Sequence, residues 1–359
     1  MKNWLNQKTL GLFVKTNGII SQPLFGGIGL IFMLHRVLPE EQKKQYTINQ
    51  DLAITPEFLE QTIFKLKQKG YQFISLDELH AILQTGKKPK QKCICITLDD
   101  GYRDNLTYGL PVFKKHNVPF TIYVTNCFPN KTAHFWWYWL EEKVQNEAEI
   151  VWEGKTYVTQ TEDQERVAYN AIRESLKNAS QAEREKYAED FFGKTKNEIE
   201  RSANELALSW EELNELKKEP LATIGAHTMH HLSLAHQSNE EMMFEVKQSK
   251  TELENKLKIK IEHFAYPYGS LNDANQREFD WIKQLGFKTA TLNHPGNVFM
   301  KSKNTTEKLT RYPLGNNTTE EKLTHYLNGI RHYAVNGWTK ILLFCLLLNT
   351  PINQLLLRF

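Results

Sequence analysis

The chain has few cysteines, no long apolar run and no block of like charge, and each shortage narrows what it can be. Cys93 and Cys95 stand two apart on one strand and point to the same face, poor geometry for a mutual disulfide. With Cys127 and Cys345 they read as reduced thiols of a cytosolic setting. The 45 basic and 42 acidic residues are mixed along the 359-residue chain and leave a net charge of +3. Without a basic block or an aromatic-and-basic pattern, no nucleic-acid partner is indicated. The apolar run Ile341–Leu348 falls well short of the ~20 residues that span a bilayer. The first twenty residues interleave polar with apolar and offer no small-residue cleavage site, unlike a secretory signal peptide, so the expected location is cytoplasmic.

What is present is a chain that is 40% hydrophobic and long enough for a large core. Strand-like runs recur at Ile28–Leu34, Phe73–Leu76, Cys93–Leu98, Phe120–Thr125, Ala222–Ala226, His263–Tyr266, Phe287–Leu292 and Leu309–Leu314. Helix signals lie between them, clearest at 55–70, 239–257 and 272–286, where Thr55 and Pro56 open the first helix and Gly70 and Gly286 close the first and third. Strands alternating with helices predict a parallel sheet, and seven or eight such units suggest that it closes into a barrel, though an open doubly wound sheet fits the same pattern. Residues 130–219 break the rhythm with a Glu-, Lys- and Gln-rich helical pattern that reads as an insertion. Within it Trp136, Trp137 and Trp139 read as the anchor that packs it onto the barrel, or alternatively as a sugar-stacking platform or lid. The first 26 residues stand apart as an N-terminal segment. The apolar tail at 336–359 reads either as a terminal helix packed on the barrel or as a peripheral contact with the inner face of a membrane, edged by Trp338, Lys340 and Arg358.

Parallel α/β folds carry their sites at the carboxyl ends of the strands. The polar residues that follow the apolar runs are His35, Asp99, Asp100, His227, Tyr268, His294 and Arg311. Two adjacent carboxylates at one strand end repel unless a cation lies between them or one stays protonated. His227 and His231, spaced i, i+4, bring two imidazoles to one face of a turn or helix. With one aspartate they form a three-ligand set suited to zinc or a similar divalent ion, with room left for water or substrate. The second aspartate is then free to act as a base.

"TLDDG" at 97–101 resembles the first motif of the polysaccharide deacetylases, carbohydrate esterases that share the NodB homology domain. "HTMHH" at 227–231 is similar to their second motif and "FAYPYG" at 264–269 to the third-motif region of one branch. The resemblance runs from about Gly27 to Leu314 apart from the insertion, and implies a distorted (β/α)7-type barrel, here spanning about 27–335. It further implies metal-dependent removal of an acyl group, most often acetyl, from a sugar. By position, Asp99 is the expected base, Asp100, His227 and His231 the metal ligands, and the Tyr268 backbone N–H an oxyanion donor. The arginine that usually orients the base is missing from the third motif, and Arg311 is the candidate substitute. His294, in "LNH" at 292–294, is the candidate general acid. His230 and His236 fall outside the pattern. The expected substrate is an amino sugar of a bacterial envelope polysaccharide or a lipid-linked precursor, for which a lipopolysaccharide or capsule unit would serve. Deformylation of a lipid-linked sugar and a non-catalytic glycan-binding or scaffold barrel are the alternatives.

Overall fold

The computed structural model describes residues 26–329. The tail at 336–359, residues 330–335 of the expected barrel and nearly all of the N-terminal segment lie outside the described residues. Eight short strands build the sheet: β1 (Gly29–Leu34), β2 (Gln72–Phe73), β3 (Cys93–Leu98), β4 (Phe120–Val124), β5 (Ala222–Ala226), β6 (His263–Ala265), β7 (Thr289–Thr291) and β8 (Tyr312–Pro313). Each falls within a run that the sequence marks as strand-like, or within one residue of it. Every residue of β1, β3 and β4 is buried, as expected where helices and packed interior cover both faces of a parallel sheet.

The strand order is β7-β6-β5-β4-β3-β1-β8, all parallel, with β2 pairing beside β3. A parallel bridge between Thr291 and Leu309 links the two ends of this order. It is held by Leu292 N–H to Leu309 O and Leu309 N–H to Ala290 O, both at 2.8 Å. The sheet is therefore the curled (β/α) barrel that the resemblance implies, and not an open doubly wound sheet.

Two of the outer helices start on side-chain caps. Helix α1 (Pro56–Gln68) starts on Thr55, whose side chain accepts the Phe58 N–H, and buries Leu59, Ile63 and Leu66 against the sheet. Helix α2 (Leu76–Thr85) starts on a capping box of Ser75 and Glu78, and α3 (Leu110–His116) lies between β3 and β4.

Between β4 and β5 the chain leaves the barrel. Helices α4 (Trp136–Asn146), α5 (Glu162–Asn178), α6 (Gln181–Asp190), α7 (Lys196–Leu206) and α8 (Trp210–Leu216) make the predicted insertion. It is not wholly helical, because an antiparallel hairpin pairs Glu149–Trp152 with Lys155–Val158. The hairpin turns through Glu153 and Gly154, both at positive φ (50° and 77°), the backbone that a two-residue turn of matching twist requires. Trp136, Trp137 and Trp139 are buried in a second core with Leu140, Ile150, Trp152, Tyr169 and Ile172. Each indole removes ~150–250 Å² from water, on the order of 4–6 kcal/mol as an upper bound, so the anchor reading holds for all three. Beyond β5, α9 (Asn239–Leu257) spans the residues expected of it. Helix α10 (Gln276–Gln284) starts later than predicted, because Asp273 accepts from Ser270 in a turn and the cap falls on Asn275. Helix α11 (Glu320–Asn328) closes the described chain.

Candidate metal and acyl-transfer site

The carboxyl ends of β1, β3, β5 and β6 open into one cavity of about 170 Å³. At ~30 Å³ per water this is room for roughly six waters, or one sugar-sized group. Among its lining residues are His35, Asp99, Asp100, His227, His231, Tyr268 and Arg311. Residues from nine separate places in the chain, the insertion included, meet there.

The two aspartates leave β3 in different directions because the backbone turns sharply between them. Asp100 has φ 76° and Gly101 φ 94°, and the second of these is a conformation that glycine alone takes without strain. Asp99 is 3% exposed and is held by both arms of Arg311, with Nη1 donating to Oδ1 at 2.6 Å and Nη2 to Oδ2 at 2.8 Å. Arg311 is in turn fixed by Thr97 Oγ1 at 3.0 Å and the Leu292 carbonyl at 3.2 Å. Burial pushes the Asp99 carboxyl up, and the Arg311 guanidinium, helped by nearby histidines, overcomes it, so the group ends below its ordinary value. Arg311, just before β8, thus sets a cation on Asp99 where the third-motif region offers none.

Asp100 turns the other way. Its Oδ1 lies 3.4 Å from His227 Nε2 and 3.3 Å from His231 Nε2, and it has no hydrogen-bond partner. Among the described residues this trio is the cluster whose ligand atoms converge, all within 4.8 Å of one another. His227 Nδ1 donates to the Ala265 carbonyl at 2.8 Å, which leaves the Nε2 lone pair facing Asp100. Burial lowers the pKa of His231 despite the attraction of Asp100, which favours the neutral ring that ligation needs. An orphaned buried carboxylate oxygen between two imidazole nitrogens fits a divalent cation better than it fits a hydrogen-bonded core. The two rings do not converge on a helix as their spacing allows. They converge on a turn in which Thr228 and His231 both take positive φ, and the His231 N–H donates to Thr228 Oγ1 at 3.0 Å.

Tyr268 is also at positive φ, 59°, with its ring against His231 at 4.7 Å. Among the described residues its backbone N–H meets no acceptor. His294 is not among the residues that line the cavity; its carbonyl accepts the Arg311 N–H at 3.1 Å. His35, at the end of β1, does line it. His230 binds Glu245 of α9, with Nδ1 to Oε1 at 2.5 Å and N–H to Oε2 at 2.9 Å, and His236 meets Ser233. These two histidines hold loops and do not face the cavity.

The insertion also contributes to the cavity, through Tyr169 and Arg173, which the sequence left unmarked, and through two of the tryptophans read alternatively as a sugar-stacking platform or lid. Trp136, Trp137, Tyr169 and Arg173 line the cavity, so two of the anchoring indoles also form its wall. Arg184 of α6 is 4% exposed and donates to the His230 and His231 carbonyls at 3.3 and 2.9 Å and to the Tyr268 hydroxyl at 3.1 Å. The insertion thereby grips the turn that carries His231. Below the cavity, Arg36 pairs with Asp104 at 2.8 Å and reaches the Tyr46 and Tyr138 hydroxyls. Neither arginine carries a local sequence signal, because the partners that tie it to the site, the His turn and Tyr268 for Arg184 and Asp104 and Tyr138 for Arg36, are distant along the chain.

The family model for polysaccharide deacetylases matches residues 86–290, more than half of the chain. YxkH of Bacillus subtilis, named for polysaccharide deacetylation, is 42% identical over 59 residues. That match is 16% of this chain and 21% of YxkH, so the chain matches about a fifth of that relative's length. Among solved structures, the Streptococcus pyogenes deacetylase PplD, determined with acetate, superposes with a TM-score of 0.54 at 19% identity, covering 83% of this chain and 97% of PplD. A de-N-acetylase from Aggregatibacter actinomycetemcomitans gives 0.54 at 13% identity, covering 83% and 98%. At these identities the likeness is one of fold. With the motifs, the barrel and the matched span in agreement, the chain belongs to the polysaccharide deacetylase family.

Proposed function

We propose that the protein hydrolyses an N-acyl group, acetyl in the simplest case, from an amino sugar of a bacterial envelope polysaccharide or of a lipid-linked precursor. The observation that carries this reading is the single cavity floor on which the Asp100, His227 and His231 cluster adjoins an Asp99 held by Arg311. Asp100, His227 and His231 would hold a divalent cation, most simply zinc, which when bound polarises a carbonyl and makes water more acidic.

The chain's own residues account for the proton traffic. Asp99, kept ionised by Arg311, takes the proton of the attacking water. As the acyl carbon becomes tetrahedral, its oxygen gains charge, and the free N–H of Tyr268 is the preorganised donor for it. When the C–N bond breaks, the amine leaves with a proton, and His35 is better sited to give it than His294, since it lines the cavity. The products are a carboxylic acid and a free amino sugar. The apolar run at 341–348 supports a cytoplasmic protein acting at the inner face of a membrane, which recovery of activity in the membrane fraction tests.

Metal analysis of the purified protein, set beside His227→Ala/His231→Ala, is the first test. Near-stoichiometric metal lost in the variant, together with acetate release from N-acetylated sugars by the wild type alone, supports the reading. A folded wild type that stays empty after incubation with zinc, nickel, cobalt, manganese and iron overturns it.

A further inference from the structure

The cavity wall built by the insertion carries a charge that the deacetylation chemistry does not use. Two arginines line the cavity, Arg173 and Arg311, and two carboxylates, Asp99 and Asp100. Arg311 is spent on Asp99, while Asp100 faces the two histidines. The lining thus holds no carboxylate for Arg173. Of the other polar groups of this wall, Tyr169 donates its hydroxyl hydrogen to Asn49 Oδ1 at 2.9 Å and Asn49 Nδ2 donates to the Trp137 carbonyl and Glu141, while the buried indole N–H groups of Trp136 and Trp137 carry no charge and meet no acceptor among the described residues.

Among the described residues Arg173 has one ion-pair partner, its chain neighbour Glu174, at 2.8 Å, with side-chain exposures of 37% and 55%. Glu174 is shared with Lys177, whose Nζ lies at 2.9 Å. An exposed pair of this kind is weak and readily exchanged, because water screens it. A guanidinium presents five donors in a planar fork, a geometry matched to phosphate and carboxylate oxygens and poorly used on a single exposed glutamate.

From this we infer that the glycan taken by the cavity carries an anionic oxygen group, phosphate or carboxylate, and that Arg173 of the insertion binds it. The inference rests on the deacetylase reading, since it places the anion on the sugar whose amide meets the Asp99 side of the cavity. It gives the insertion a selective role: the barrel supplies the hydrolytic groups and α5 selects charged glycans over neutral ones. The bond from Arg173 is charge-assisted at both ends, so a preference of about ten-fold or more for the charged sugar is expected.

The test is calorimetric binding to the zinc-loaded full chain of three probes: N-acetylglucosamine, its 1-phosphate and the corresponding N-acetylated hexuronate. Wild type should bind one or both charged probes at least ten-fold more tightly than the neutral one. Arg173→Gln should remove the preference, and Arg173→Glu should reverse it. Preference for the phosphate alone identifies a glycosyl phosphate, and preference for the hexuronate alone an acidic polysaccharide. Equal binding of charged and neutral probes by wild type, or a preference that survives in both folded variants, overturns the inference. Acid release is followed in parallel: its absence on every probe removes the deacetylase reading, whatever the binding preference.

Discussion

Arg311 and Asp99 lie 212 residues apart in sequence, and both are buried to within a few per cent. A buried carboxylate left without its cation is costly, so Arg311→Met is expected to lose about 3–5 kcal/mol of stability in chemical denaturation. The sign of the accompanying pH effect follows from the causes of the Asp99 shift. With Arg311 present the folded carboxyl sits below its ordinary value, and it contributes stability that is present above the unfolded value and lost as pH falls through the folded one. Without Arg311, burial acts alone and holds the proton on, so the acid limb of the pH–rate profile should move to higher pH. Arg311→Lys should recover part of the charge effect but not the two-armed grip. An acid limb that stays in place in Arg311→Met would show that Asp99 is not the base. At the same scale, burial pushes the Cys127 thiol up to about 12 and Cys93 to about 11, and Cys95 well above its usual value. Mass spectrometry after alkylation at pH 8 should find these three thiols unmodified until the protein is denatured.

At the scale of elements, the insertion is where sequence and structure differ most. The eight strands and the strand-end residues His35, Asp99, Asp100 and His227 were legible because each reports on its own neighbourhood, a short apolar run and then a polar residue, whereas Arg311, picked out by the same rule, stands before its strand. The hairpin at 149–158 was not, because two four-residue strands around Glu153–Gly154 lack the Asn-Gly or Asp-Gly signal and sit among helix formers. Arg184 was not legible either, because its acceptors on the His turn lie 46 and 47 residues away. Its role predicts that Arg184→Met loosens the metal site from outside it. Loss of a group that orients a ligand typically costs 10–100-fold in metal affinity, measurable by competition with a chelator, while circular dichroism reports whether the fold is kept. Unchanged affinity would reduce Arg184 to a packing residue. His134, at the entrance to α4, offers a second check on the insertion. Burial lowers its pKa to about 4, so it stays neutral in the folded state while the unfolded chain takes up a proton below 6.5. Its contribution to stability is full above 6.5 and is lost as pH falls towards 4. His134→Phe should flatten stability against pH in that window.

Over the whole molecule, the site is also where the barrel is tied together. Asp100 follows β3, His227 follows β5 and is oriented by a carbonyl of β6, and Arg311 precedes β8 while binding the end of β3. The insertion joins through Arg184 at the His turn. Asp100, His227 and His231 converge only when these elements are assembled, so an ion held there would bind the folded chain and not the unfolded one. At a free concentration of 100 times its dissociation constant, such an ion adds about 2.7 kcal/mol, enough to raise the melting temperature by several degrees. The increase should grow with the logarithm of zinc concentration in the wild type and vanish in Asp100→Asn. Because Arg184 couples the insertion to the same turn, hydrogen exchange should slow together at residues 227–231 and in α6 when zinc is added. If protection rises at the His turn but not in α6, the insertion is fastened to the barrel independently of the metal, and its grip on His231 serves only the fold.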